Sequence, residues 1–179
     1  MKNELKIVIG SGSRLRTKSV DVSPDEFGEE LNEKMEGMIK KMLSVDGVGL
    51  SGVQVGDPRR ILVATGGLGV IKMVNPEILD KSQEKVFYRE GCLSLPGLAV
   101  DTERNKSIVV RYKDPFGGTM ETAFSDPTSV IIQHEMDHFD GKLLIDKLSS
   151  IKRDMYNKKL KKKLRARKRL LKELSKHGY

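Results

Sequence analysis

The sequence has a single cysteine in 179 residues, so no disulfide can close within the chain. That excludes a small cross-linked secreted fold and points to a reducing compartment, the cytoplasm. No apolar run approaches the roughly 20 residues that span a bilayer, so no membrane segment is expected. The opening Met1 to Ile9 has lysines and a few apolar residues, but Gly10-Ser11-Gly12-Ser13 cuts it short and it does not read as a secretory signal. Neither an internal repeat nor a low-complexity linker is found. A chain of this length suggests one domain with a real core. Excess positive charge is missing from most of it. Residues 151–179 hold 13 Lys/Arg against 2 Asp/Glu, whereas residues 1–150 carry a net −3. The overall +8 therefore belongs to a tail, residues 151–179, read as a basic helix.

Histidine is scarce as well, with three in all. Two of them stand four residues apart in Gln133-His134-Glu135-Met136-Asp137-His138. On a helix, positions i and i+4 share a face, so both imidazoles can reach one point. Such a point seats a transition metal, and the adjacent Glu135 can handle the protons of a metal-bound water. Asp126 is expected as the N-cap, with Pro127 at the first helical position and Gly141 as the stop. A catalytic site of this kind needs a third protein ligand and one open position.

Upstream, Leu5 to Ile9 reads as a short strand. Ser23-Pro24-Asp25-Glu26 has the form of a capping box, and Phe27, Leu31, Met35, Met38, Ile39 and Met42 then recur at helical spacing to about Leu43. The stretch 47–56 carries four glycines and Gln54, without the spacing of a phosphate loop. Ile61–Ala64, Gly69–Asn75 and Val86–Tyr88 read as strands, broken by Gly66-Gly67 and by Asn75-Pro76. Ser107–Tyr112 and Thr119–Phe124 read as a hairpin. Irregular spacing favours antiparallel or mixed sheets. Cys92 follows a strand. It reads as a small buried apolar residue, as a nucleophile, or as a thiolate completing a His2Cys ligand set, and only the last supplies the missing third ligand.

Three segments in this order resemble the signature motifs of peptide deformylase: Gly47-Val48-Gly49-Leu50 through Gln54, Glu90-Gly91-Cys92-Leu93-Ser94, and Gln133 to His138. Asn75-Pro76 and His138-Phe139-Asp140-Gly141 add to the likeness, which covers roughly residues 5–150. The resemblance implies an α+β fold, with antiparallel or mixed sheets around the central H-E-x-x-H helix and residues 1–150 as the catalytic domain. It implies hydrolytic removal of the N-formyl group from the terminal methionine of new polypeptides, with release of formate. Cys92, His134 and His138 would hold one divalent metal, Fe(II) in the cell with Zn, Ni or Co as substitutes. Ligand types alone suit zinc equally. Glu135 would carry the proton, with Gln54 and the Leu93 backbone N–H donating to the formyl oxygen. Val48, Gly49 and Gly91 would pair with the substrate backbone, and Arg104 would form an orienting ion pair with Glu90. Some deformylases use a similar basic C-terminal helix near the exit tunnel, so residues 151–179 are expected to contact ribosomal RNA.

The chain departs from the family at Ser51-Gly52-Val53, where Ala-Ala-Pro or a close variant is usual. Loss of the proline is expected to loosen the loop that positions Gln54. Phe139 stands where leucine is common. Two rival readings remain: a general zinc metallopeptidase, which shares H-E-x-x-H, and a non-catalytic RNA-binding protein on the same scaffold. The peptidase would take a downstream carboxylate or histidine as its third ligand. Here the remaining histidine, His177, lies in the tail, while Cys92 lies upstream.

Overall fold

The amphipathic stripe after Phe27 forms helix α1, Glu29–Leu43, and buries Leu31, Met35, Met38 and Met42. These side chains meet Leu50, Ile61, Val63 and Val74 in one apolar cluster. Truncating one such buried methionine to alanine costs about 2–5 kcal/mol. The computed structural model describes residues 5–67 and 69–176. Seven strands follow α1: β1 (Gly49–Ser51), β2 (Ile61–Gly66), β3 (Gly69–Lys81), β4 (Lys85–Gly91), β5 (Ala99–Asn105), β6 (Ser107–Lys113) and β7 (Thr119–Ser125). Helix α2, Thr128–Phe139, carries the histidine motif, and α3, Ser150–Lys176, is the basic tail.

Five strands make one sheet in the order β1-β2-β3-β6-β7, and β4 pairs with β5 alone. Every pairing between named strands is antiparallel. The sheet type is therefore antiparallel, as one of the two expected options, and the fold is α+β. Helix α2 is buried on most of its circumference, and Ile132 and Phe139 pack against Leu62, Ala64, Met73, Ile108 and Val110. Two of its buried polar side chains, Ser129 and Gln133, are satisfied by the turn between β5 and β6. Gln133 Nε2 donates to the Asn105 carbonyl, Asn105 N–H donates to Gln133 Oε1, and Ser129 Oγ donates to the Lys106 carbonyl. These bonds fix the rotation of α2, and with it the direction of both histidines.

Several local expectations need correction. Leu5 to Ile9 is extended but belongs to no strand; Val8 N–H donates to the Gln54 carbonyl, and Gly10 N–H to that of Ser94. The capping box at Ser23 closes a 3-10 turn, Pro24–Glu26, and α1 starts later with Gly28 as N-cap. Asn75-Pro76 does not end a strand. Asn75 sits at φ 50°, and its side-chain amide exchanges two hydrogen bonds with the backbone of Val22, so β3 continues through a register shift. Asn tolerates that left-handed conformation better than most residues. Pro127, not Asp126, occupies the N-cap of α2. Gly141 ends the helix as expected: it adopts φ +68°, and a Cβ there would lie 2.6 Å from the Arg16 carbonyl oxygen.

The tail is partly docked. Tyr156 packs on the cluster of Leu15, Leu95 and Leu144, its hydroxyl donates to the Pro96 carbonyl, and Leu160 is buried. Leu164, Leu171 and Leu174 are exposed. His177 lies outside the described residues. No helix among the described residues is long and apolar enough to cross a membrane.

Candidate active site

One turn of α2 places His134, Glu135 and His138 together, and the turn after β4 brings Cys92 to them. One ligand atom from each of Cys92, His134 and His138 lies within 4.8 Å of the others. Cys92 Sγ is 3.4 Å from His138 Nε2. A thiolate and two imidazoles are the donor types of a tetrahedral catalytic centre with one open position. The residues fit a divalent metal on their electrostatics too. Burial disfavours charge on His134, yet its bonds to Cys92 and Glu90 raise its pKa to about 10. The Cys92 and Glu90 side chains thus favour positive charge at His134, and a metal bound there would take the place of that proton. Burial, with the charges of His134 and Arg104, lowers His138 to about 3, leaving the neutral imidazole that a metal requires.

A buried chain of contacts orients the ligands. His134 Nδ1 is 2.7 Å from Glu90 Oε2. Arg104 clamps Glu90 with Nε at 2.7 Å and Nη2 at 3.0 Å, and Nη1 reaches Asp137 at 2.7 Å. Thr102 Oγ1 donates to Glu90 as well. Burial alone would raise the Glu90 pKa, but these bonds outweigh it and hold the carboxylate at about 2. The expected Glu90–Arg104 pair is thus present. Thr102 and Asp137 complete it, although neither was singled out from the sequence. Thr102 lies two residues before Arg104 on β5, where alternation puts both on one face. Asp137 sits within the histidine motif itself.

Gln54 is held rather than loosened. Its Oε1 accepts from Ser51 N–H at 2.8 Å and Ser51 Oγ at 3.0 Å. This directs Nε2 towards Ser94 Oγ at 3.2 Å and Cys92 Sγ at 3.5 Å. Residues Gly52–Val55 form a 3-10 turn, and Val53 packs beside Cys92. Ser51 thus does the tethering that was expected to suffer from the missing proline.

A cavity of about 1100 Å³ opens from this centre and is lined by Val48, Gly49, Gly91, Cys92, Leu93, His134 and Glu135 among others. It lies between the edge strand β1 and the two-stranded β4–β5 sheet. Gly49 is needed for close approach: a Cβ there would lie 2.5 Å from Glu135 Oε1 and 2.8 Å from Ile131 Cγ2. Glu135 is itself buried. Gly49→Ala is expected to keep its metal but lose turnover about 100-fold, the scale set by displacing a catalytic group by roughly 1 Å. Formate release and metal content measured on one sample test this; wild-type turnover would show slack in β1.

A family model of polypeptide deformylase matches residues 4–154. The chain belongs to this family. It is 40% identical over 168 residues to the peptide deformylase of Rickettsia akari, covering 88% of this chain and 95% of that one. Likeness to the peptide deformylase of Thermotoga maritima is 41% over 135 residues, covering 75% and 82%. Among solved structures, the Ehrlichia chaffeensis peptide deformylase superposes with a TM-score of 0.84 at 33% identity, covering 92% of this chain and 98% of that one. The Thermotoga maritima enzyme gives 0.78 at 37%, covering 82% and 99%. Membership makes the chain a hydrolase that removes the N-formyl group from newly synthesised polypeptides.

Proposed function

We propose that this deformylase works through one divalent metal held by Cys92, His134 and His138, with Glu135 as its proton carrier. The observation that supports this most is the convergence of three ligand atoms beside a buried carboxylate with one unpartnered oxygen: Glu135 Oε2 has no hydrogen-bond partner among the described residues. A metal there supplies Lewis-acid activation, lowering the pKa of water from ~16 towards ~7. Glu135 takes the proton from the attacking water and returns it to the leaving amine. Burial raises the Glu135 pKa to about 7, against the pull of His134 and Ser51, so the group is poised to move a proton in either direction. Gln54 Nε2 and the Leu93 backbone N–H donate to the oxygen where charge develops, a contribution worth about 3 kcal/mol per donor. The bond from Gln54 Nε2 to Cys92 Sγ is long, at 3.5 Å. Glu90 and Arg104 hold His134 in place. Removing one partner of so buried a pair costs about 3–5 kcal/mol.

The substrate enters as an added strand along Val48, Gly49 and Gly91, so main-chain bonds bind it and side chains select little. The apolar part of the cavity takes the terminal methionine. A formyl carbon bears only hydrogen, and a tight site can admit it while excluding acetyl. The metal is proposed to be Fe(II) on the family resemblance, with zinc equally suited to the ligands. Formate release from formyl-Met-Ala by anaerobically purified protein, with metal analysis of the same sample, tests the reading. Cleavage of an unformylated peptide instead would establish the metallopeptidase alternative.

Residues 151–179 are proposed as a tail that docks this cytoplasmic enzyme on ribosomal RNA, beside the catalytic domain of residues 1–150. The net +11 of the tail supports this, as does the exposure of α3 from Lys161 to Lys176. Phosphate contacts would make binding weak in sequence preference and steep in salt. Replacing Lys158, Lys161, Lys162, Arg165 and Arg169 by glutamine is expected to weaken ribosome binding at low salt. The slope of log affinity against log salt should drop by roughly one for each phosphate that is no longer neutralised. Hydrolysis of a formylated dipeptide should be retained, because none of the five lines the cavity. Equal ribosome affinity at low salt would sink the idea.

A further inference from the structure

The cavity differs in charge between its two ends. At the inner end, Glu90 is spent on Arg104 and His134, and Glu135 faces the reacting centre. The other charged side chains of the lining are Lys6, Lys41, Asp46, Arg89 and Arg167, four cations and one acid. All but the half-buried Lys41 are exposed, which places them at the solvent end. They come from four parts of the chain: the extended segment before α1, the last turn of α1 and the bend after it, β4, and the tail. Arg89 lies 3.3 Å from Asp101, but both side chains are about 70% exposed, with 69% and 73%, and such a pair is weak in water. The exposed charges of the mouth, Lys6, Arg89 and Arg167 against Asp46, therefore leave it net positive without any contribution from Lys41.

Arg167 is the unexpected member. From the sequence it breaks the apolar stripe of α3. Leu160, the buried residue of that helix, lies about two turns earlier on the same face. The face that docks Leu160 thus carries Arg167 back over the cavity. An interruption in the stripe becomes a cation at the mouth.

We propose that this ring selects formylated chains with acidic side chains shortly after the terminal residue, and that Arg167 is the tail's contribution to the selection. The inference rests on the deformylase reading. A bound strand advances about 3.3 Å per residue, so residues two to four of the substrate run from the reacting end to the mouth. Alternate side chains then face the cations. Each exposed pair contributes little, and several acting together are expected to favour formyl-Met-Asp-Glu over formyl-Met-Gln-Gln by about three- to tenfold in kcat/KM at low salt. The gain should lie in KM, since the cations are remote from the reacting atoms. It should vanish near about 1 M salt, where the screening length falls to about 3 Å.

The test compares acidic, neutral and lysine-bearing formyl-Met tripeptides on the metal-loaded full chain. Arg167→Glu is exposed and should fold, and the ratio of acidic to neutral kcat/KM should fall to one or below. The same charge change at Lys81→Glu, on β3 and outside the lining, should leave that ratio unchanged. Calorimetric binding of the three peptides to Glu135→Gln protein reads the preference without turnover. Equal binding and equal kcat/KM across the peptides would overturn the proposal, as would an acidic preference that survives Arg167→Glu. Acidic preference in binding, with no formate from any peptide, would support the selection and overturn the hydrolytic mechanism instead.

Discussion

Cys92→Ser protein is expected to purify with little or no metal and to lose turnover about 100-fold or more. Changes to groups that merely orient ligands typically cost 10–100-fold in metal affinity or activity, and here a ligand itself is removed. The thiolate brings a negative charge and a soft donor. Serine brings a neutral hydroxyl that does not ionise near neutral pH, on a shorter bond. The site around it remains shaped for a cation, with Glu90 ionised beside His134. The fold itself should survive, because Cys92 is one small member of a cluster that keeps Leu15, Val53, Leu95 and Val100. Metal content after a chelator challenge, formate release and thermal melting, read together, separate loss of metal from loss of fold. Cys92→Asp restores an anionic ligand and should recover part of the metal while leaving turnover low. If Cys92→Ser keeps both full metal and full turnover, the assignment of Cys92 as a ligand is wrong.

What the sequence made legible follows from where the burial is regular. The stripe of α1 and the hairpin of β6 and β7 carry their period in apolar residues, so both were readable. Strand β5 was not. Its buried face is Val100, Thr102 and Arg104, and two of those three are polar because that face supports the metal ligands. A strand whose inward side chains serve a site shows no hydrophobic alternation. The break read at Asn75-Pro76 failed for a related reason: a side-chain amide replaces a backbone partner, and only the neighbouring segment at Val22 reveals it. Leu5, Ile7 and Ile9 alternate like a strand, yet among the described residues no strand pairs with them to complete a ladder.

The ligand types were legible because two motifs, at residues 90–94 and 133–138, carry the one cysteine and the paired histidines that the fold brings together. Their support was only half legible. Glu90 and Arg104 came through resemblance, whereas Thr102 reaches Glu90 across the β4–β5 pair and Asp137 meets Arg104 from α2 to β5. Ser51 is the clearest case. In the sequence it is one of three departures from the usual loop residues, and the expected loosening is attributed to the missing proline at Val53. In the fold its backbone and hydroxyl both hold Gln54 Oε1, a role that an alanine at this position would share only through its backbone.

Glu135→Gln is the variant expected to separate binding from chemistry most sharply. Metal content should stay near that of the wild type, because Glu135 is not among the three ligands. Turnover should fall by about 10²–10⁴, the usual worth of a positioned acid–base group. The substitution preserves shape where shape matters, since Glu135 is buried against Gly49 and Ile131. It removes one property only: an amide accepts no proton from water and delivers none to the amine. Burial sets the direction of the carboxylate's shift, up to about 7. A dication at the neighbouring ligands opposes that shift and favours the ionised base at neutral pH. Oε2, which has no partner among the described residues, is then the atom free to take the proton. Single-turnover formate release with a matched metal analysis decides it. Unchanged kcat at full metal occupancy would show that another group carries the proton; loss of metal along with turnover would show that Glu135 is part of the binding site.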